Sequence, residues 1–293
     1  MRLAEETNSY RRYEFEGMSD VLEYALSPTD MPDKERFSQD WFKGEHSAAS
    51  WDFGAGWNGA LCLARRGWPE GAKKIKELAE RLYSRIAPQL VEKQTSQYDV
   101  TGHTVDVGRF VTGEPECMLE FAPIEVEGQR HVNILIDTRL AHTVPSRAVE
   151  NRGAAILAIV EALRQSGCLV TLDAIGCHGD GGRRVRYDVH VVTAGTIIDT
   201  DMLAFMVVHS AYNRRIVFAM MEHLPADWRR SLNVTPEGGY AFGYELSRVE
   251  QEGLVYWTGL HSRNTSDFST PEQALETCLN KLRPLGLLKE EEV

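Results

Sequence analysis

Val132-Asn133-Ile134-Leu135-Ile136-Asp137-Thr138-Arg139-Leu140-Ala141 decides the reading of this chain. The first five residues are a β-branched, apolar run, the composition of a strand buried on both faces. An aspartate, a hydroxyl and an arginine follow where the strand must end. Downstream, residues 146–166 place Val149, Ala154, Ile156, Leu157, Ile159, Val160 and Leu163 on one broad face, with Gly167 as the stop. Leu169 to Ala174 read as a second strand. Strand, helix and strand in one sheet imply a right-handed crossover and parallel pairing.

The pattern continues outward in both directions. Gly179-Asp180-Gly181-Gly182 is a turn, and Val185 to Val192 alternate apolar and polar, which predicts an antiparallel partner at the sheet edge. Asp199 caps a helix running to about Tyr212. Ile216 to Met221 and Leu254 to Leu260 read as further buried strands. Thr270-Pro271-Glu272-Gln273 is a capping box that opens a last helix. Upstream, Val21 to Leu26 suggest a short helix ended by Pro28. Residues 60–67 suggest another ended by Gly67, and Pro69 opens a third carrying Ile75, Leu78, Leu82 and Ile86. The expected fold is α/β, a doubly wound and mostly parallel sheet with one antiparallel edge strand over residues 126–293, with an appended helical and irregular module over 1–125.

Composition narrows the function classes. Of 293 residues 43% are hydrophobic, so a core is available. A net charge of −11 argues against general affinity for nucleic acid, which needs a basic face. The clusters Arg183, Arg184, Arg186 and Arg214, Arg215 read most simply as solvated strand ends. Five scattered cysteines without a CxxC suggest a reducing compartment. No apolar run approaches the roughly 20 residues that span a bilayer, and Met1 to Glu6 begin no apolar signal. The expectation is therefore a cytoplasmic protein without a membrane partner. Glycines among Trp51, Trp57 and Asn58 fit either a stacking platform or, more simply, a local core. In the segment 98–120, Asp99, His103 and Asp106 have metal-ligand chemistry, although such residues in loops more often make turns.

The order of elements resembles the von Willebrand A fold, in the form found in cobaltochelatase-like subunits that work beside MoxR-type ring ATPases of the AAA+ class. The carriers are Val132 to Asp137, the helix around Arg152-Gly153-Ala154-Ala155, and Arg214-Arg215-Ile216-Val217-Phe218. In that family Asp-x-Ser-x-Ser follows the first strand and holds Mg²⁺ through oxygens. Here the two serine positions are Arg139 and Ala141. Ala141 has no side-chain oxygen, and Arg139 can neutralise Asp137 by a forked ion pair. The expectation is no cofactor. If Mg²⁺ binds at all, Asp137 and Thr138 would hold it, with Thr143 and Ser146 as spare hydroxyls. The whole chain, including residues 67–71 and 98–120, also resembles a family found in tailed-phage genomes, which implies a phage or mobile-element origin.

Ligands of open α/β sheets bind outside the carboxyl ends of strands, at the switch point. That edge is expected to gather Asp137, Thr138, Arg139, Asp173, Glu222, His223 and His261, with the strand at 216–221 beside the first strand. The resemblance implies a non-catalytic surface that grips a protein partner, a ring ATPase being the family-level candidate. Two alternatives stand beside it. Glu222, His223 and His261 have the acid and base types of a metal-dependent hydrolase or phosphoryl-transfer enzyme. However, no Gly-x-Ser-x-Gly, HExxH or Walker loop occurs, and no GxGxxG follows a strand. The other alternative is a structural, virion-associated role.

Overall fold

The computed structural model describes residues 1–36, 38, 54–86, 97–101, 104–120, 130–141, 143–234, 242–247 and 250–288. In chain order the elements are β1 (Arg2–Glu6), β2 (Tyr10–Phe15), α1 (Met18–Leu26), α2 (Gly56–Arg66), α3 (Pro69–Ile86), β3 (Gln97–Asp99), β4 (Thr104–Val105), α4 (Val107–Thr112) and β5 (Met118–Glu120). Then come β6 (His131–Asp137), α5 (Ser146–Gln165), β7 (Leu169–Asp180), β8 (Arg183–Val192), α6 (Thr200–Val208), a π-helical stretch (Tyr212–Val217) and α7 (Phe218–Met221). The chain closes with α8 (Ala226–Ser231), β9 (Phe242–Gly243), β10 (Val255–Trp257) and α9 (Pro271–Leu279).

The architecture is mixed α/β. The main sheet runs β1-β2-β8-β7-β6-β10, with β9 against the far end of β7. β6 pairs in parallel with β7, Ile134 opposite Leu172, and with β10, Ile134 opposite Val255. β8 runs antiparallel to β7, as its alternation predicted. It is not an edge strand, because β2 pairs with it in parallel on its other side. The alternation has a different cause: one face of the sheet is packed and the other polar. The N-terminal strands thus belong to the main sheet, and α3 packs on α5. The appended module expected over residues 1–125 therefore does not describe these segments. β3, β4 and β5 form a separate three-stranded sheet.

The helical layer rests on one face. Val132, Ile134 and Ile136 of β6, Val170 and Leu172 of β7, and Val255 and Trp257 of β10 meet α3, α5, α6 and α9. Tyr13, Phe15, Tyr187 and Val189 continue that face under α1, α2 and α7. Strand side chains alternate between faces, so both clusters lie on the same side. The opposite side, where a doubly wound sheet carries its other layer, holds Leu135, Ile175, Cys177 and Tyr256 under Leu246.

One sequence expectation fails clearly. Ile216 to Met221 are helical, not a strand. Every residue from 203 to 217 is buried, and Ile216 to Met221 themselves carry no polar side chain to mark a face. A short apolar run shows no period that separates a buried helix from a buried strand. The neighbour of β6 is accordingly β10.

Helix α5 crosses α6 closely. A Cβ on Gly153 would lie 2.3 Å from Cγ2 of Val208. Gly153→Ala should therefore cost about 1–3 kcal/mol in urea denaturation through overpacking. The cost should shrink in a Val208→Ala background, where the obstructing methyl is gone.

Candidate functional site

The carboxyl end of β6 is built around Asp137, which is fully buried. Arg139 closes on it. Its Nε donates to Oδ1 and Oδ2 at 2.9 and 2.8 Å, and its backbone N–H donates to Oδ1 at 3.0 Å. Nη2 of Arg139 also donates to Oδ2, and the Tyr256 hydroxyl donates to the same oxygen at 3.3 Å. The forked pair expected from the sequence is formed. Burial opposes the guanidinium charge, but Asp137 outweighs it, so Arg139 holds its proton more firmly than a free arginine.

Local geometry leaves room for this arginine. β6 stops at Asp137 while β7 continues, and β9 takes the place beside His178 and Gly179. Arg139 lies across that short strand: a Cβ on Gly243 would fall 1.3 Å from its Nη1. The loop after β6 is tied by the backbone, Ala141 N–H to Leu260 O and Leu260 N–H to Arg139 O, each 2.9 Å. Beneath it Arg152, 1% exposed, donates from Nη1 to the carbonyls of Asp137 and Thr258 at 3.2 and 2.8 Å. Arg214 donates to the Leu140 carbonyl at 3.3 Å.

The donor set does not suit a metal ion. Both oxygens of Asp137 are occupied, and the Thr138 hydroxyl donates to the Ile175 carbonyl at 3.1 Å. Thr143 and Ser146 are exposed and make no contact with Asp137 among the described residues. Asp106 caps α4, accepting from Arg109 N–H. His103 lies outside the described residues, as do Trp51 and the side chain of Asp99. Trp57 packs against the second core cluster, in keeping with a local core.

The other expected site residues do not converge here. Glu222 and His223 follow α7 rather than a strand. Glu222 is fully buried and accepts from Arg36 Nε, Ser38 N–H and the Ser38 hydroxyl at 2.9, 2.8 and 2.6 Å. His223 places its two ring nitrogens 2.8 and 2.9 Å from the carbonyl oxygens of Ala219 and Ser27. These residues fasten the segment around 27–38 to the helical layer, so the carboxylate is not available as a general base. His261 lies in the loop after β10, half-buried, with Nε2 3.8 Å from Glu245. Asp173 sits on the open side of the sheet, hydrogen-bonded to His190.

Two residues at this edge gain their meaning only from the structure. Gly243 gives no sequence signal, since the arginine that needs its bare backbone is a hundred residues away. His178 is 3% exposed, and among the described residues neither ring nitrogen has a hydrogen-bond partner. Burial, then Arg139, push its pKa down to about 3, so it stays neutral at physiological pH.

Fold and site together define a mixed α/β protein whose sheet edge is sealed by an internal ion pair. The chain belongs to the family described as a domain of unknown function (DUF7192), whose model matches residues 4–289. No curated protein and no solved structure gives a match. Among the described residues no helix is long and apolar enough to cross a membrane.

Removing one member of the buried pair leaves an uncompensated charge. Arg139→Met should cost about 3–5 kcal/mol of stability, and adding Asp137→Asn should recover most of it, as read from denaturant midpoints.

The His190–Asp173 pair sets a pH dependence. Burial disfavours the charged imidazole, but the hydrogen bond and charge of Asp173, with Glu16 and Glu14, outweigh it and raise the His190 pKa. A raised histidine contributes fully below its unfolded value of about 6.5 and loses that contribution as pH rises through the folded value. The urea midpoint should therefore fall as pH rises above the unfolded value of about 6.5, and Asp173→Asn should flatten the fall.

Proposed function

We propose that this protein is a non-catalytic, protein-binding protein built on a von Willebrand A-like domain, in which a fixed arginine stands where the family holds a metal. The observation that carries the reading is the saturation of Asp137 by Arg139 and Tyr256 at the end of β6. A carboxylate so engaged has no lone pair to spare for a cation and none for proton transfer. The strand order β8-β7-β6-β10, with only β8 reversed among the four, supports the resemblance. The crevice expected at the switch point is filled by Arg139, Arg152 and Arg214, which favours contact with a surface over capture of a small substrate.

The partner is a protein that meets the exposed rim of this edge, where Glu245 and Arg263 stand in solvent beside the half-buried His261. A MoxR-type AAA+ ATPase is the specific candidate, within the cytoplasm of a cell carrying the phage or mobile element. Fold analogy constrains function weakly, so the test is direct. The tagged chain, purified from cells carrying its element, should bring down a MoxR-type ATPase, and His261→Glu with Arg263→Glu should abolish recovery. Recovery of only capsid or tail proteins would overturn the reading. Calorimetry with Mg²⁺ and Mn²⁺ should give no heat at this edge. Tight binding lost in Asp137→Ala would overturn the arginine-for-metal assignment.

A further inference from the structure

On the face of the sheet away from the helices lies a basin of about 810 Å³. Small-molecule sites occupy roughly 300–1,000 Å³. Tyr10 and Arg12 of β2, Arg184 and Arg186 of β8, Asp173 of β7 and Tyr244 after β9 contribute to its wall. The register sets Tyr10 opposite Arg184 and Arg12 opposite Arg186, and alternation puts all four on one face. Arginines 184 and 186 are two of those whose clustering the sequence suggested as solvated strand ends. Arg186 is instead buried, 6% exposed.

Like charges directly opposite one another on a sheet are unfavourable, and here a buried carboxylate holds them in place. Asp188, 2% exposed, accepts from Arg12 Nε at 2.7 Å and from Arg186 Nε at 2.5 Å. Each arginine is fixed through its Nε, and the terminal nitrogens of Arg186 carry no hydrogen bond among the described residues. The Arg184 guanidinium lies 5.1 Å from the centroid of the Tyr244 ring. Its side chain makes no ion pair among the described residues. The Tyr244 hydroxyl is buried without a hydrogen-bond partner among the described residues. Burial, then the charges nearby, hold that phenol above its ordinary pKa, so it remains a donor.

The acids around the basin are mostly engaged. Asp173 pairs with His190, Asp188 with the two arginines, and Glu250 with the backbone N–H and hydroxyl of Ser247 at 2.8 and 2.7 Å. Glu5, on the exposed β1, stands at the rim. What the basin has to spare is therefore donor capacity: guanidinium N–H groups and a phenol O–H beside flat aromatic rings. Oxyanions are the complement of such donors, and planar guanidinium groups match them in pairs.

We propose that this basin binds a small phosphate ester carrying a flat ring, with the oxyanion on Arg184 and Arg186 and the ring against Tyr244 and Tyr10. The site is separate from the Asp137 edge and stands or falls independently of the protein partner proposed above. Phenyl phosphate, inorganic phosphate and phenol are the probes, titrated calorimetrically into the full chain at low ionic strength. Phenyl phosphate should bind one to one, about tenfold or more tighter than inorganic phosphate, and phenol should not bind. Arg184→Gln removes an exposed side chain and leaves the Asp188 clamp intact, so the fold should persist by circular dichroism. It should weaken phenyl phosphate by about tenfold or more, while Lys74→Gln on α3 should leave binding unchanged. Absence of saturable binding by either phosphate would overturn the proposal. So would equal affinity of folded Arg184→Gln and the unsubstituted protein.

Discussion

The structure depends on the burial of α5 between the sheet and a second tier of helices. Nearly all of its residues from Ala148 to Leu163 are buried, with β6 and β7 beneath and α3, α6 and α9 around it. Fully burying one Leu or Ile side chain is worth about 1.5–3 kcal/mol, so this helix is the largest single contributor to the packed face. Its small residues matter as much as its large ones. Gly153 lets α6 approach, and Arg152 reaches under the strand ends to the backbone carbonyls of Asp137 and Thr258.

From that position the site follows. The buried face of α5 delivers a guanidinium to the end of β6, and two more arginines stand beside it, Arg139 on Asp137 and Arg214 on the Leu140 carbonyl. Their N–H groups are taken up by the Asp137 carboxylate and by backbone carbonyl oxygens. Glu222 is used in the same way, as a buried anchor for the segment carrying Arg36 and Ser38. Buried charge in this protein goes into holding loops against the core. The imidazole of His178, with no hydrogen bond at either ring nitrogen among the described residues, sits close to the sealed edge.

The polar face of the sheet is the counterpart of the packed one. Because the helices gather on a single side, β2, β7 and β8 turn their alternate residues toward the other, where Arg12, Arg186 and Asp188 form a row of fixed charges. Such a row keeps a broad sheet face polar and well ordered, and it leaves donors available at the end nearest the β7–β8 turn.

The sequence by itself determined most local elements. Prolines placed α1 and α3, Gly167 ended α5, and a capping box opened α9, where the side chain of Thr270 accepts from Gln273 N–H as predicted. The Asp137–Arg139 pair was legible because the two residues are two apart in the chain and chemically complementary. The tertiary structure decided what periodicity cannot carry. Residues 216–221 are apolar on every side, so their helical state comes from the neighbours that surround them. The alternation in β8 fixes that one face is dry, yet not whether another strand pairs beyond it, and Tyr10 to Phe15 supply that strand from the distant N-terminus. Glu222, His223 and His261 have the residue types of a catalytic group, and long-range packing sends the first two against the segment around 27–38 and His261 to the loop after β10. Gly243 shows the limit most simply, since a glycine's purpose lies in whatever side chain crosses it.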